Sequence, residues 1–145
     1  MITNNIIAGL GGALVLNILN ESLKGLDNKM PQIDLVGEEA VLKTSALLGM
    51  EIKDSTSLYR SALVSDIISN TLYYSLINNR GNKLWSTAAS SGLMAGVGAV
   101  KLPNKMGLND EPVAKSLVTK ALTISYYVAG ALTTAAILSL LDRKK

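Results

Sequence analysis

The 145-residue sequence contains no cysteine, no histidine and no phenylalanine. Without cysteine it can form no disulfide and carry out no thiol chemistry. The absence of both histidine and cysteine excludes Ser-His-Asp and Cys-His catalytic groups, a haem-ligating histidine, and thiolate or imidazole zinc sites. We therefore expect no enzymatic activity, no metal site and no cofactor.

Charged residues are also scarce, at 17% of the chain, against about 25% in ordinary soluble domains. They are bunched, so that long blocks lack them. Three blocks carry no charged side chain, namely residues 1–20, 84–100 and 121–141, and a fourth, residues 61–79, carries only Asp66. A helix needs about 20 mainly apolar residues to cross a bilayer. The sequence therefore predicts spans near 4–23, 59–78, 84–102 and 117–141.

These blocks predict an all-α, multi-pass membrane protein: a bundle of four transmembrane helices that forms one membrane domain over residues 1–145. The alternative is a soluble bundle of very apolar helices, but the last block has no charged stripe to face water. The first block could also be a secretory signal peptide. Its start, MITNN, has no basic residue, whereas a signal peptide has a basic n-region, so we expect a retained helix.

The longest polar segment, residues 24–57, contains the pattern of a short amphipathic helix near 35–48. Asp34 is suited to its N-cap, and Glu39 and Lys43 form an i,i+4 pair. A helix of about 15 residues is too short to span a bilayer. We expect it to lie at the membrane interface or to pack on the bundle.

The other connections are shorter. The turn NNRGN at 78–82 predicts that the second and third spans are antiparallel neighbours. Pro103 and Gly107 indicate the end of the third span, and Glu111 the start of the fourth.

Small residues recur four positions apart in three of the spans, a spacing that lets helices approach closely in lipid. The pairs are Ala8 with Gly12, Gly92 with Gly96, and Gly130 with Thr134. We expect them to pack within one subunit; a homodimer seam is the alternative.

Four spans place both termini on the side of the 78–82 turn, where Arg80, Lys83 and the tail DRKK at 142–145 are concentrated. Basic residues favour the cytoplasmic side. We expect a protein of the cell inner membrane with cytoplasmic termini and the lipid bilayer as its partner. A net charge of +3 without a basic stripe gives no indication of nucleic-acid binding.

Asp66 is the one charged residue in the interior of a predicted span, since the others lie within about four residues of a span end. It lies six residues beyond Arg60, about 9 Å deeper at 1.5 Å per residue, and shares a helix face with Asn70. Asn17 and Tyr126 are predicted at a similar depth on the first and fourth spans. Two interpretations remain open: a hydrogen-bonded cluster that sets helix register, or a proton or cation site.

At the outer membrane edge, we expect an ion pair between Glu21 and Arg60. Three functions are consistent with the sequence. The first is a structural or accessory membrane protein that packs with itself or with a membrane partner. The second is a minimal ion- or proton-coupled transporter or channel subunit that uses Asp66. The third is a lysis-type pore-former with a basic tail.

Overall fold

The computed structural model describes residues 1–143, and this part of the chain is helical, with no strand. The all-α prediction is therefore confirmed. The helices are α1 (Ile2–Leu23), α2 (Ile33–Leu47), α3 (Ser55–Ser75), α4 (Asn82–Lys105), α5 (Glu111–Ala114) and α6 (Leu117–Asp142). The last two residues of the basic tail lie outside the described residues.

The fourth long helix begins later than the helix-start signal indicated. The signal at Glu111 produces only the four-residue α5. The Ser116 hydroxyl then accepts a hydrogen bond from the Thr119 amide at 3.1 Å and caps α6. Pro103, expected as a breaker, lies inside the last turns of α4.

Two helices form the centre of the fold. α1 packs against α3 on one side and α6 on the other, and α6 also packs against α4. α3 and α4 therefore lie at opposite edges. The short turn between them predicted direct neighbours, but their main recorded link is the Tyr73 hydroxyl, which donates to the Ser91 carbonyl at 2.8 Å. Each packs on a central helix instead.

Glycines allow α4 and α1 to approach α6 closely. A Cβ added at Gly92 would lie 2.6 Å from the Val128 Cα, and one at Gly96 would lie 2.6 Å from the Ile124 Cα. Gly12 is in similarly close contact with Gly130 and Thr134. These glycines pack between helices of one chain, as predicted.

Arg80 ties together the end that carries both termini. Its Nη2 donates to Asn5 Oδ1 at 2.6 Å, and its Nε forms an ion pair with Asp142. Asn5 in turn donates to the Ser75 carbonyl at 3.2 Å. Side chains from α1 and α6 are thereby joined to the turn between α3 and α4.

At the opposite end, Asn20 holds the start of α2. Its side-chain oxygen accepts from the Ile33 amide and its Nδ2 donates to Asp34, both at 2.9 Å. The N-cap residue is Gln32, which supplies no side-chain bond, so α2 begins two residues earlier than expected and Asp34 lies in its first turn. A buried asparagine of another helix takes the capping role.

By length and composition, α1 and α6 are apolar enough to cross a membrane, and they alone pass this test among the described residues. α3 falls short because Asp66, Asn70 and several serines dilute its apolar character. Polar residues at both ends of α4 have the same effect. Composition thus supports the predicted spans for α1 and α6, and does not confirm them for α3 and α4.

The substitution Gly96→Ala should lower the free energy of unfolding by about 1–3 kcal/mol, because the new methyl group overlaps the backbone of α6. Gly98→Ala is the matched control. Its Cβ would meet only Leu102 of the same helix, at 3.4 Å. Thermal unfolding of the purified variants in detergent measures both effects. Equal stability of the two variants would contradict this packing.

Candidate functional site

Asp66 lies in the middle of α3 and lines two cavities. One, of about 430 Å³, lies between α2 and α3, where Gly37 and Ala40 form part of its wall. The other, of about 150 Å³, lies deeper and is bordered by α2, α3, α4 and α6. The two spaces share Gly37, Ala40 and Asp66, so Asp66 is the polar side chain at their junction.

A third space, of about 540 Å³, opens between the edge helices α3 and α4. It shares Val36, Ala99, Pro103 and Tyr127 with the deeper cavity. The deeper cavity thus adjoins grooves on both sides of α3. This arrangement follows from the fold, since α3 and α4 pack on the central helices and leave a gap between themselves.

Two of the predicted site residues are close to Asp66. The amides of Asn17 and Asn70 lie beside its carboxyl group. Each donates a recorded hydrogen bond to backbone, however: Asn17 to the Ala13 carbonyl at 2.9 Å, and Asn70 to the Asp66 carbonyl at 3.0 Å. Among residues 1–143, Asp66 forms no ion pair. Its carboxyl group therefore has amide neighbours but no cationic partner.

Tyr126, the fourth predicted residue, lies elsewhere. It packs with Leu16, Ile33 and Val113, and its hydroxyl lies 3.9 Å from the Met30 sulfur. Tyr127 lines the Asp66 cavity instead. One residue along a helix rotates a side chain by about 100°, so depth alone could not choose between adjacent tyrosines.

The ion pair at the helix ends also has a different partner. Glu21 pairs with Lys24 at 3.0 Å, three residues along the same chain segment, while Arg60 is exposed. Lys24 also binds Asp34 at 2.9 Å. Partial burial acts to lower the pKa of the Lys24 ammonium, but the hydrogen bonds and charges of Asp34 and Glu21 outweigh it and raise the pKa.

α2 covers the cavities and is anchored at its exposed side. Glu39 accepts a hydrogen bond from the Asn109 amide at 2.8 Å and pairs with Lys43 at 3.2 Å. Lys43 also donates to the Gly107 carbonyl. These contacts join α2 to the loop that follows α4, and so hold it over the gap between α3 and α4.

Sequence reasoning missed Asn20 and Tyr127. Asn20 had the same signal as Asn17, an amide inside an apolar block, and its position near the helix end pointed to a role in capping. The covering role of α2 had a partial signal in its amphipathic pattern, which predicted a helix that lies at the membrane interface or packs on the bundle. No signal in the sequence indicated that Gly37 and Ala40 would form a cavity wall, because this depends on how α2 crosses α3.

No protein-family model matches the chain, and no curated protein or solved structure is significantly similar to it. Its function must therefore be inferred from the chemistry and placement of its own residues. The feature that most needs explanation is the Asp66 carboxyl group, which has no cationic partner within residues 1–143 and lies beside a largely apolar cavity.

The contact between Glu39 and Asn109 should depend on pH. The Asn109 amide, helped by Lys43, holds the pKa of the Glu39 carboxyl below its ordinary value of 4.5. Because the pKa is lower in the folded protein, the contact stabilises the fold fully when the pH is above the ordinary pKa of a glutamate. This stabilisation is lost as the pH falls through the lowered pKa of Glu39. The NMR shift of the Asn109 amide should therefore change in this acidic range.

Glu39→Gln is the control for this titration. Its side-chain oxygen still accepts from the Asn109 amide but does not titrate in this range. The Asn109 resonance should then stay constant as the pH falls. If the wild-type resonance is also constant, or if the variant titrates as the wild type does, Glu39 does not anchor α2 in this way.

Proposed function

We propose that this chain is an integral membrane protein of structural or accessory type in which α1, α3, α4 and α6 all span the bilayer. The supporting observation is the distribution of polarity. Large apolar side chains are exposed along α1, α3 and α4 and at both ends of α6, whereas asparagine and threonine side chains are buried between the helices. The exposed set includes Ile6, Leu10, Leu14, Ile18, Val64, Ile68, Leu72, Leu93, Met94, Val97, Leu117, Val118 and Leu140. The buried polar set includes Asn20, Asn70, Thr71, Thr119, Thr123 and Thr134.

α3 is the least apolar of these four helices, and its outward face supports the proposal that it spans the bilayer. Val64, Ile68 and Leu72 follow one another at four-residue spacing and are 55%, 55% and 59% exposed. Residues at this spacing form one stripe along a helix. In water such a stripe would be costly, whereas in a bilayer it is the surface that faces lipid.

Three hydroxyl groups on partly or fully exposed positions of the helices are compatible with the same surroundings. The Ser69 and Ser125 hydroxyls donate to carbonyls one turn earlier in their own helices, at 2.8 and 2.7 Å, and Thr133 does so at 2.8 Å. Polar groups in lipid need partners within the protein. These side chains obtain them locally.

The end that carries the termini is proposed to be cytoplasmic, in the cell inner membrane. Arg80 and Lys83 lie at this end, next to the exposed ring of Trp85. Basic residues close to spans favour the cytoplasmic side, and tryptophan is enriched at membrane interfaces.

An accessory role is proposed to act through the outer face of α4. Gly92 and Gly96 are occupied by contacts with α6, but Gly98 meets only its own helix. With Met94 and Leu102 it lines a shallow groove of about 480 Å³. A small residue flanked by apolar side chains lets a helix of a second copy or of another membrane protein approach closely.

The membrane proposal predicts that alkaline carbonate will not release the protein from membranes, while detergent will. The reason is that the outward faces of four helices would be in contact with lipid. Sedimentation of carbonate-washed membranes followed by immunodetection measures the release. Recovery of most of the protein in the carbonate supernatant would contradict the proposal.

The same detergent preparation tests how the protein associates. Its mass by light scattering distinguishes a single copy from a dimer. A dimer that Gly98→Leu converts to single copies would support association of the chain with itself through α4. If the wild-type protein is a monomer in detergent, association of the chain with itself through α4 is excluded, and the proposed partner of this face is another membrane protein.

A further inference from the structure

We propose that the Asp66 cavity is a binding site for a protonated alkylamine, a cation that carries its own hydrocarbon chain. The proposal rests on the four-span placement, because it takes the grooves beside Asp66 to open toward lipid. It assigns to this carboxyl group a further function, distinct from helix packing.

The first step concerns charge. Asp66 lies at the junction of two cavities and has no cationic partner among the described residues. Lys24 pairs with Glu21 and Asp34 instead. A carboxyl group in a bilayer interior is costly without a partner, and a bound ammonium group would supply one.

The second step concerns hydrogen-bond acceptors. A primary ammonium group has three N–H donors. The Tyr127 side chain lines the cavity, and its hydroxyl has no recorded hydrogen bond within residues 1–143. The two carboxylate oxygens and this hydroxyl are three acceptors on residues that line the cavity, as many as the ammonium group has donors.

The third step concerns the walls. Apart from Asp66 and Tyr127, the side chains around the deeper cavity are apolar, including Ile33, Val36 and Val113. A bare inorganic cation such as Ca²⁺ needs about six to eight oxygen ligands, more than this lining offers. An alkyl chain is instead favoured by apolar walls, at about 0.8 kcal/mol per buried methylene group.

The fourth step concerns access. The spaces on both sides of α3 adjoin the deeper cavity. The one between α2 and α3 is lined by Ser65 and Ser69, which are exposed and are the neighbours of Val64 and Ile68 on the surface proposed to face lipid. An alkylamine that dissolves in the bilayer can therefore reach Asp66 sideways, without crossing an aqueous pore.

The test is binding of hexylammonium to the full-length protein in detergent at neutral pH, with hexan-1-ol as the uncharged probe of equal chain length. Ligand-observed NMR titrations measure both. We expect saturable hexylammonium binding that Asp66→Asn weakens at least tenfold, because it removes a charge-assisted hydrogen bond. Hexan-1-ol should bind more weakly, and Asp66→Asn should leave its binding unchanged.

A second pair of variants keeps the test decisive if Asp66→Asn does not fold. Ala40→Leu, on α2, should fill the cavity and abolish hexylammonium binding with Asp66 still present. Ala46→Leu makes the same change at an exposed position of α2 that lines none of these cavities, and it should bind as the wild type does. Circular dichroism and a single elution peak confirm that each variant is folded.

Three results would overturn the proposal. These are absence of saturable hexylammonium binding to the folded wild type, equal binding by Asp66→Asn, and displacement of hexylammonium by equimolar sodium or potassium, which would identify an inorganic cation site. Failure of the membrane proposal is a separate result. If carbonate releases the protein and the released protein still binds hexylammonium through Asp66, the membrane proposal is wrong and the binding site is still present.

Discussion

The close approach of α1 to α6 at Gly12 and Gly130 forms the centre on which the other long helices pack. Each glycine leaves no room for a side chain between the two backbones. α3 packs mainly on α1 and α4 on α6, and the Tyr74 hydroxyl of α3 also donates to the Tyr127 carbonyl of α6 at 2.8 Å. Because the edge helices pack on different central helices, a gap remains between them, and α2 covers it.

This gap explains why Asp66 occurs in an otherwise apolar region. If α3 and α4 packed closely together, the carboxyl group would need a partner from the neighbouring helix. Here it borders open volume instead, with Asn17 and Asn70 beside it. Small residues of α2, Gly37 and Ala40, keep that volume open. Helix packing and a ligand site thus follow from the same arrangement.

The long helices and the glycine contacts were predictable, because block length and four-residue spacing are local properties of the sequence. The partners of individual polar groups were not. Lys24 is closer than Arg60 to Glu21 along the chain, and Tyr127 rather than Tyr126 lines the cavity because one residue changes the direction of a side chain. The separation of α3 from α4 depends on which faces of these helices pack against α1 and α6. The length of the turn between them does not indicate that.

The account depends most on whether α3, the helix with a carboxyl group at its centre, crosses the bilayer. Because the chain has no cysteine, a single cysteine can report the surroundings of one position. Ile68→Cys lies on the outward face of α3, and Asn78→Cys lies in the exposed turn beyond it. In membranes opened to give access to both sides, a water-soluble maleimide should label position 78 and leave position 68 unlabelled until detergent is added. Labelling of both positions at the same rate before detergent would show that α3 faces water, and would contradict the account.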